Sequence, residues 1–199
     1  CWSVWAKRCM RHGNLFVISG PSGAGKGTLV ARLLREIPDA WASMSVTTRK
    51  PREGEVDGVH YRFASPQEFQ ELVDEDGLLE WATYGGNCYG TPRATVEEHI
   101  ACGDQVILEI DVQGGFQVRD KFPSAHLVFI EPPSLDVLEA RLRGRGTETE
   151  EAIATRMETA RVELSRKMEY DIRLVNDDLD EAVRALAGYV NEQAEKIRG

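Results

Sequence analysis

The chain has 199 residues, 42% of them apolar, enough for one domain with its own core and no need of a disulfide or structural metal. Its net charge of −9 argues against a general binder of nucleic acid or of anionic membrane. No apolar run approaches a bilayer span, no secretory leader stands at the N-terminus, and Cys1, Cys9, Cys88 and Cys102 show neither a Cys-x-x-Cys pair nor zinc spacing, so a reduced, cytoplasmic protein is expected.

Residues 1–9 read as a loosely packed or non-native extension, with Trp2 and Trp5 able to share one helical face, and the domain proper is expected over 10–199. Residues 15–19 are a short apolar run ended by glycines, which suits a buried strand. Leu29, Leu33, Leu34 and Ile37 then recur at helical spacing until Pro38 stops them. Residues 43–61 are polar and rich in Thr, Arg, Tyr and Gly. Ser65, Pro66 and Glu68 form a capping box with proline in the first helical position, and Phe69, Leu72 and Val73 give that helix its buried face. Residues 92–102 read as another helix, closed by Gly103.

Residues 106–111 make a second buried strand with acids near its C-terminal end, and residues 127–130 a third. Pro132 and Pro133 break the chain, and Ser134 caps a helix bearing Leu135, Leu138 and Leu142. A loop at 143–146 leads into a long charged helix over about 150–168. Residues 172–175 form a last strand, and Leu179, Val183, Leu186 and Val190 mark a final helix. Strands alternating with helices predict an α/β fold in three layers, a mainly parallel sheet covered on both faces.

One motif sits at the first strand-to-helix junction. Gly20, Pro21, Ser22, Gly23, Ala24, Gly25, Lys26, Gly27 and Thr28 have the spacing of a phosphate-binding P-loop. Its glycines let successive backbone N–H groups curl around a phosphate, and the helix N-terminus adds unpaired donors. Lys26 would neutralise charge on the outer phosphates as it shifts during transfer. The usual pattern puts Ser or Thr directly after the lysine; here that position is Gly27, and the hydroxyl of Thr28 comes one later. Mg²⁺ is therefore expected to be held mostly through water, with Thr28 as the candidate.

Further segments carry a resemblance. They are residues 45–55 (Ser45, Arg49, Pro51, Arg52, Gly54, Glu55), 58–63 (Tyr61), 79–81 (Glu80, Trp81), 89–91 (Tyr89, Thr91), 110–114 (Asp111), 141–150 (Arg141, Arg145) with Arg156, and 175–179 (Asn176). Their order across nearly the whole chain after Met10 resembles the guanylate kinases. That resemblance implies a P-loop core, an inserted GMP-binding subdomain over about 45–91 and a helical lid over about 141–156. It also implies ATP-dependent phosphorylation of GMP with Mg²⁺, and ATP and GMP as the small-molecule partners. Use of dGMP is left open, since none of these residues reads the ribose 2′-hydroxyl.

By the same resemblance, Arg49, Arg52, Tyr61 and Tyr89 hold the GMP phosphate, and two guanidiniums can grip one phosphate with paired N–H bonds. Glu80 selects the base, because one carboxylate accepts both guanine N1–H and the 2-amino group, whereas adenine leaves it unpaired. Ser45 and Thr91 meet the other edge of the base. Asp111 lies near the GMP and metal region, with Glu109 pointing the same way by alternation. Arg141, Arg145 and Arg156 close on the transferring phosphate, and Asn176 contacts the adenine side. Two other readings stand beside this one: a kinase for AMP or a pyrimidine monophosphate, and a non-catalytic guanylate-kinase-like module of the scaffolding type.

Overall fold

In the computed structural model the chain is described over residues 11–144 and 149–196. The N-terminal extension with Trp2 and Trp5, and the loop residues Arg145 and Gly146, lie outside the described residues. The first half carries β1 (Asn14–Ser19), α1 (Lys26–Glu36), β2 (Ala40–Ala42), β3 (Val46–Thr47), β4 (Arg62–Phe63), α2 (Pro66–Asp74), β5 (Leu78–Tyr84) and β6 (Asn87–Pro92). The second carries α3 (Arg93–Ala101), β7 (Gln105–Glu109), α4 (Val112–Lys121), β8 (His126–Glu131), α5 (Leu135–Arg143), α6 (Glu150–Ser165), β9 (Ile172–Val175) and α7 (Leu179–Glu195).

β1 is buried along its whole length, and its two faces divide the core. Phe16 and Ile18 pack towards α1 and α7 through Leu29, Leu33, Val183, Leu186 and Val190. Leu15 and Val17 pack the opposite way, with Val96, Val112 and Val118. Five strands pair in the order β2-β7-β1-β8-β9, and every pairing is parallel. Their C-terminal ends therefore share one rim, where Ile18 stands in register with Glu109 and the loops after β1 and β7 lie side by side.

Two core elements go beyond the sequence pattern. β2 is a three-residue edge strand. α4 begins at Asp111, whose side chain accepts from Gly114 N at 2.7 Å. Glycines at 114 and 115 blur its apolar periodicity, and both stand close to side chains from elsewhere: a Cβ at 114 would lie 3.1 Å from Glu80 Oε2, and one at 115 would lie 2.9 Å from Tyr170 Oη. The charged helix expected to run to about 168 stops at Ser165, and a 3₁₀ turn, Lys167–Glu169, follows.

The polar middle of the chain forms a second sheet, β4-β3-β6-β5. Its β5–β6 hairpin turns on Gly85 and Gly86, both at positive φ (57° and 77°), as a tight hairpin turn requires. Val46, Phe69 and Leu78 form a small core of its own, against which Leu72 and Val73 pack. The capping box of α2 is complete: Ser65 Oγ accepts from Glu68 N at 3.2 Å, and Glu68 Oε2 accepts from Ser65 N at 2.7 Å. Ser65→Ala should lower the free energy of urea unfolding by about 1 kcal/mol; an unchanged unfolding midpoint would show that the box contributes nothing. Among the described residues no helix is long and apolar enough to cross a membrane.

Candidate active site

The phosphate-binding loop is shaped by glycines that no other residue replaces cheaply. Gly20, Gly23 and Gly25 all have positive φ. A Cβ at Gly20 would lie 2.2 Å from Ile130 O, and one at Gly25 would lie 2.4 Å from Asn176 Nδ2. α1 starts directly at Lys26, with no side-chain cap and no acid in its first turn, so its first N–H groups and its dipole face the loop. Lys26 Nζ donates to Gly20 O at 2.6 Å and Pro21 O at 3.1 Å. Ala24 is buried and Thr28 is exposed.

Three expected nucleotide-side residues brace this loop. Asn176 is buried, and its Nδ2 donates to Ala24 O at 2.8 Å. Its carbonyl accepts from Arg141 Nη2 at 3.1 Å. Arg156 on α6 donates from Nη1 to Ser22 Oγ at 2.8 Å. Asn176, expected on the adenine side, supports the loop through its bond to the Ala24 carbonyl. Glu139 pairs with Arg143 and Glu158 with Arg161.

Facing the loop across the rim is a pocket of about 270 Å³, lined by Ser45, Tyr61, Glu80, Ala82, Tyr84, Tyr89, Gly90, Glu109, Ile110 and Asp111. Glu80 is 7% exposed, and Thr91, 1% exposed, donates its hydroxyl to Glu80 Oε1 at 2.6 Å. Thr91 therefore fixes the acid rather than presenting its proton to the pocket. Arg49 lies 5.4 Å from the centre of the Tyr61 ring, and its guanidinium is held by Glu55 through two bonds of 2.9 Å. Neither Arg49 nor Arg52 lines the pocket itself, and the Arg52 side chain is exposed. A larger hollow of about 560 Å³ adjoins this one; Ala82, Tyr84 and Asp111 line both. It reaches Ser22 of the loop and Arg156 of α6, so the two halves of the site open on one cleft.

A family model described as guanylate kinase matches residues 12–193. The chain belongs to the guanylate kinase family. It is 54% identical to a guanylate kinase of Synechococcus sp. (strain CC9902) over 92% of this chain and 98% of that protein. It is 50% identical to one of Streptomyces coelicolor over 89% and 90%. The crystal structure of a guanylate kinase from Anaplasma phagocytophilum is similar at a TM-score of 0.74 and 31% identity, covering 94% of this chain and 88% of that one. A sugar kinase structure from Janibacter sp. HTCC2649, at TM-score 0.52 and 13% identity, shares the fold. As a member of the guanylate kinases the chain is an enzyme, a phosphotransferase, and the scaffolding and other-monophosphate readings give way.

Within this guanylate kinase cleft three carboxyls are pushed upward. Burial raises Glu80 to about 7; Thr91 opposes the shift by donating to it, Asp111 adds to it, and Lys121 opposes it. Desolvation also raises Glu109, with Lys26 opposing. Glu163 on α6 rises to about 7, chiefly through desolvation, with Lys26 opposing and Asp111 adding. Glu163 lines the larger hollow with Arg156 and was missed in the sequence, although seven residues apart on a helix places the two on one face. The resemblance assigns Glu55 no role.

The oxygen donors around the loop suit Mg²⁺. The Glu109 carboxylate faces the loop at Gly27, 3.5 Å from where a Cβ there would stand. Among the described residues no cluster of three His, Cys, Asp or Glu forms a metal cage. Mg²⁺ prefers few protein ligands and retained waters, and a hydroxyl plus a carboxylate fits that habit.

Proposed function

We propose that this chain performs ATP-dependent phosphorylation of GMP to GDP by direct in-line transfer across the cleft between the P-loop and the second sheet. The observation that carries the reading is the shared wall of Ala82, Tyr84 and Asp111, which joins the pocket of Glu80 to the hollow of Ser22 and Arg156. The subdomain runs over about 45–91 and the lid over about 141–156. The β- and γ-phosphates of ATP rest on the backbone N–H groups of residues 20–28, with Lys26 at the outer phosphates. Glu80, as the carboxylate, accepts both donors on the Watson–Crick edge of guanine, and Ser45 borders the opposite edge. Arg49, Tyr61 and Tyr89 hold the GMP phosphate, with Arg52 turning in from the margin and Asp111 at the junction of the two halves.

No general base is needed, because the attacking phosphate oxygen is already anionic. Lys26, Arg141 and Arg156 stabilise charge on the moving group, and the family resemblance adds Arg145 from the lid. Closing the cleft excludes water and so suppresses hydrolysis of ATP. Mg²⁺, when bound, neutralises phosphate charge; Thr28 and Glu109 would hold its water shell. The free thiols Cys88 and Cys102 suit a reducing, cytoplasmic setting. A coupled ADP-release assay with GMP, AMP, UMP and CMP tests the reading. GMP should be preferred by roughly 10⁴-fold in kcat/KM, because no competitor sets two adjacent donors against the Glu80 carboxylate. Equal use of AMP, or no turnover with any acceptor, would overturn it.

A further inference from the structure

The most fully engaged cation near the acceptor pocket is Arg49, and its partner is a carboxylate to which no role has been given. Glu55 Oε1 accepts from Arg49 Nη2 and Glu55 Oε2 from Arg49 Nη1, each at 2.9 Å. Glu55 Oε2 also accepts from the backbone N–H of Arg52 at 2.7 Å. Arg49 Nη1 gives a further bond to Lys50 O at 2.8 Å. A tight turn delivers the acid: Glu55 N donates to Arg52 O at 3.0 Å, and Gly54 supplies the positive φ of 84°. The guanidinium is also stacked, 5.4 Å from the centre of Tyr61 and 5.8 Å from that of Phe63.

A planar guanidinium has five N–H groups in two forks. The terminal fork of Arg49 is spent on Glu55, and the second Nη1 hydrogen on Lys50. What remains is the lateral fork, Nε–H with the second Nη2–H, spaced for two oxygens of one phosphate. The hydroxyl of Tyr89, which lines the pocket, also hydrogen-bonds to Arg49, so a phosphate on the lateral fork would share it with Tyr89. We infer that Glu55 is a positioning residue for the acceptor phosphate: it locks Arg49 end-on so that the lateral fork is presented to GMP. The inference rests on the reading of Arg49 as a phosphate ligand. Held down to about 2 by Arg49 and the Arg52 amide, the Glu55 carboxyl stays charged at any working pH. It places a negative charge beside the phosphate site, a cost justified only if orientation matters more than the charge it offsets. The opposing possibility is that Glu55 stands in for the phosphate and must be displaced, which reverses the sign of its removal.

Glu55→Gln, Arg49→Ala and the double variant decide between them, with steady-state kinetics and calorimetric binding of GMP and of guanosine, which lacks the phosphate. Glu55→Gln is expected to raise the KM for GMP by about tenfold to a hundredfold, with kcat and the KM for ATP within about threefold. Guanosine binding should not change, and Glu55→Gln should add nothing in the Arg49→Ala background. A KM for GMP that is unchanged or lowered in Glu55→Gln overturns the inference, as does an equal weakening of guanosine, which would mark a general collapse of the pocket. If Arg49→Ala alone leaves the KM for GMP unchanged, the underlying reading of Arg49 fails and the inference with it. If Arg49→Ala raises KM and Glu55→Gln does not, only the inference falls.

Discussion

Lys26→Met is expected to lower kcat by about a thousandfold or more while leaving the fold intact. The lysine donates to two carbonyls of its own loop, Gly20 O and Pro21 O. Losing them removes no apolar contact from the two core layers, so the thermal unfolding midpoint should move little. What is lost is a mobile positive charge at the place where charge develops during transfer, and that term acts on the transition state more than on binding. Turnover of the purified variant in the coupled assay, paired with a melting curve, checks both halves. A kcat within tenfold of the parent would mean that the loop does not hold the transferring phosphates.

The second large effect concerns Glu80. Binding guanine requires the carboxylate, yet burial raises this group to about 7. The KM for GMP should therefore fall as pH rises from 6 to 8, with the acid half-ionised near neutrality. The linkage has a definite sign. The pKa in the folded state lies above the ordinary glutamate value of 4.5, so the folded state binds the extra proton between those values. Below about 4.5 the group has no effect on stability; as pH rises towards 7 it destabilises the GMP-free protein, by roughly 3 kcal/mol at the upper end. Glu80→Gln keeps an oxygen for the Thr91 hydroxyl but replaces the second acceptor with an amide that opposes the guanine donors. Its kcat/KM for GMP should drop by about a hundredfold or more, lose its pH dependence between 6 and 8, and be accompanied by a higher melting temperature above pH 7. A pH-independent KM in the parent enzyme would remove Glu80 from the base contact.

The parallel layer was legible because its strands are buried on both faces and its helices are long. Residues 15–19 and 127–130 read as continuous apolar runs, and the Leu29–Leu33 spacing carried α1. The second sheet was not, since β3 and β4 have two residues each and offer no alternation to detect. Its one local signal, the Gly85–Gly86 pair, marks the hairpin only once the flanking strands are suspected. α4 escaped because Gly114 and Gly115 answer to close neighbours from elsewhere in the chain, which no local window contains. The same contrast runs through the site. The P-loop is contiguous and speaks for itself, as does the capping box of α2. Thr91 holding Glu80, Asn176 supporting Ala24 and Glu163 facing the cleft are long-range relations, and spacing alone does not report them.

The second sheet has its own strand pairing and its own small apolar cluster, and it joins the parallel layer through the passages from β2 to β3 and from β6 to α3. β5 also ties the two layers together: Leu79 is buried in the core with Leu15 and Val17, and Trp81 exchanges hydrogen bonds with Gln117 of α4. The acceptor pocket is therefore a seam: the second sheet supplies Glu80, Tyr84 and Tyr89, and the end of β7 supplies Glu109, Ile110 and Asp111, so a change of acceptor has to be made on both layers at once.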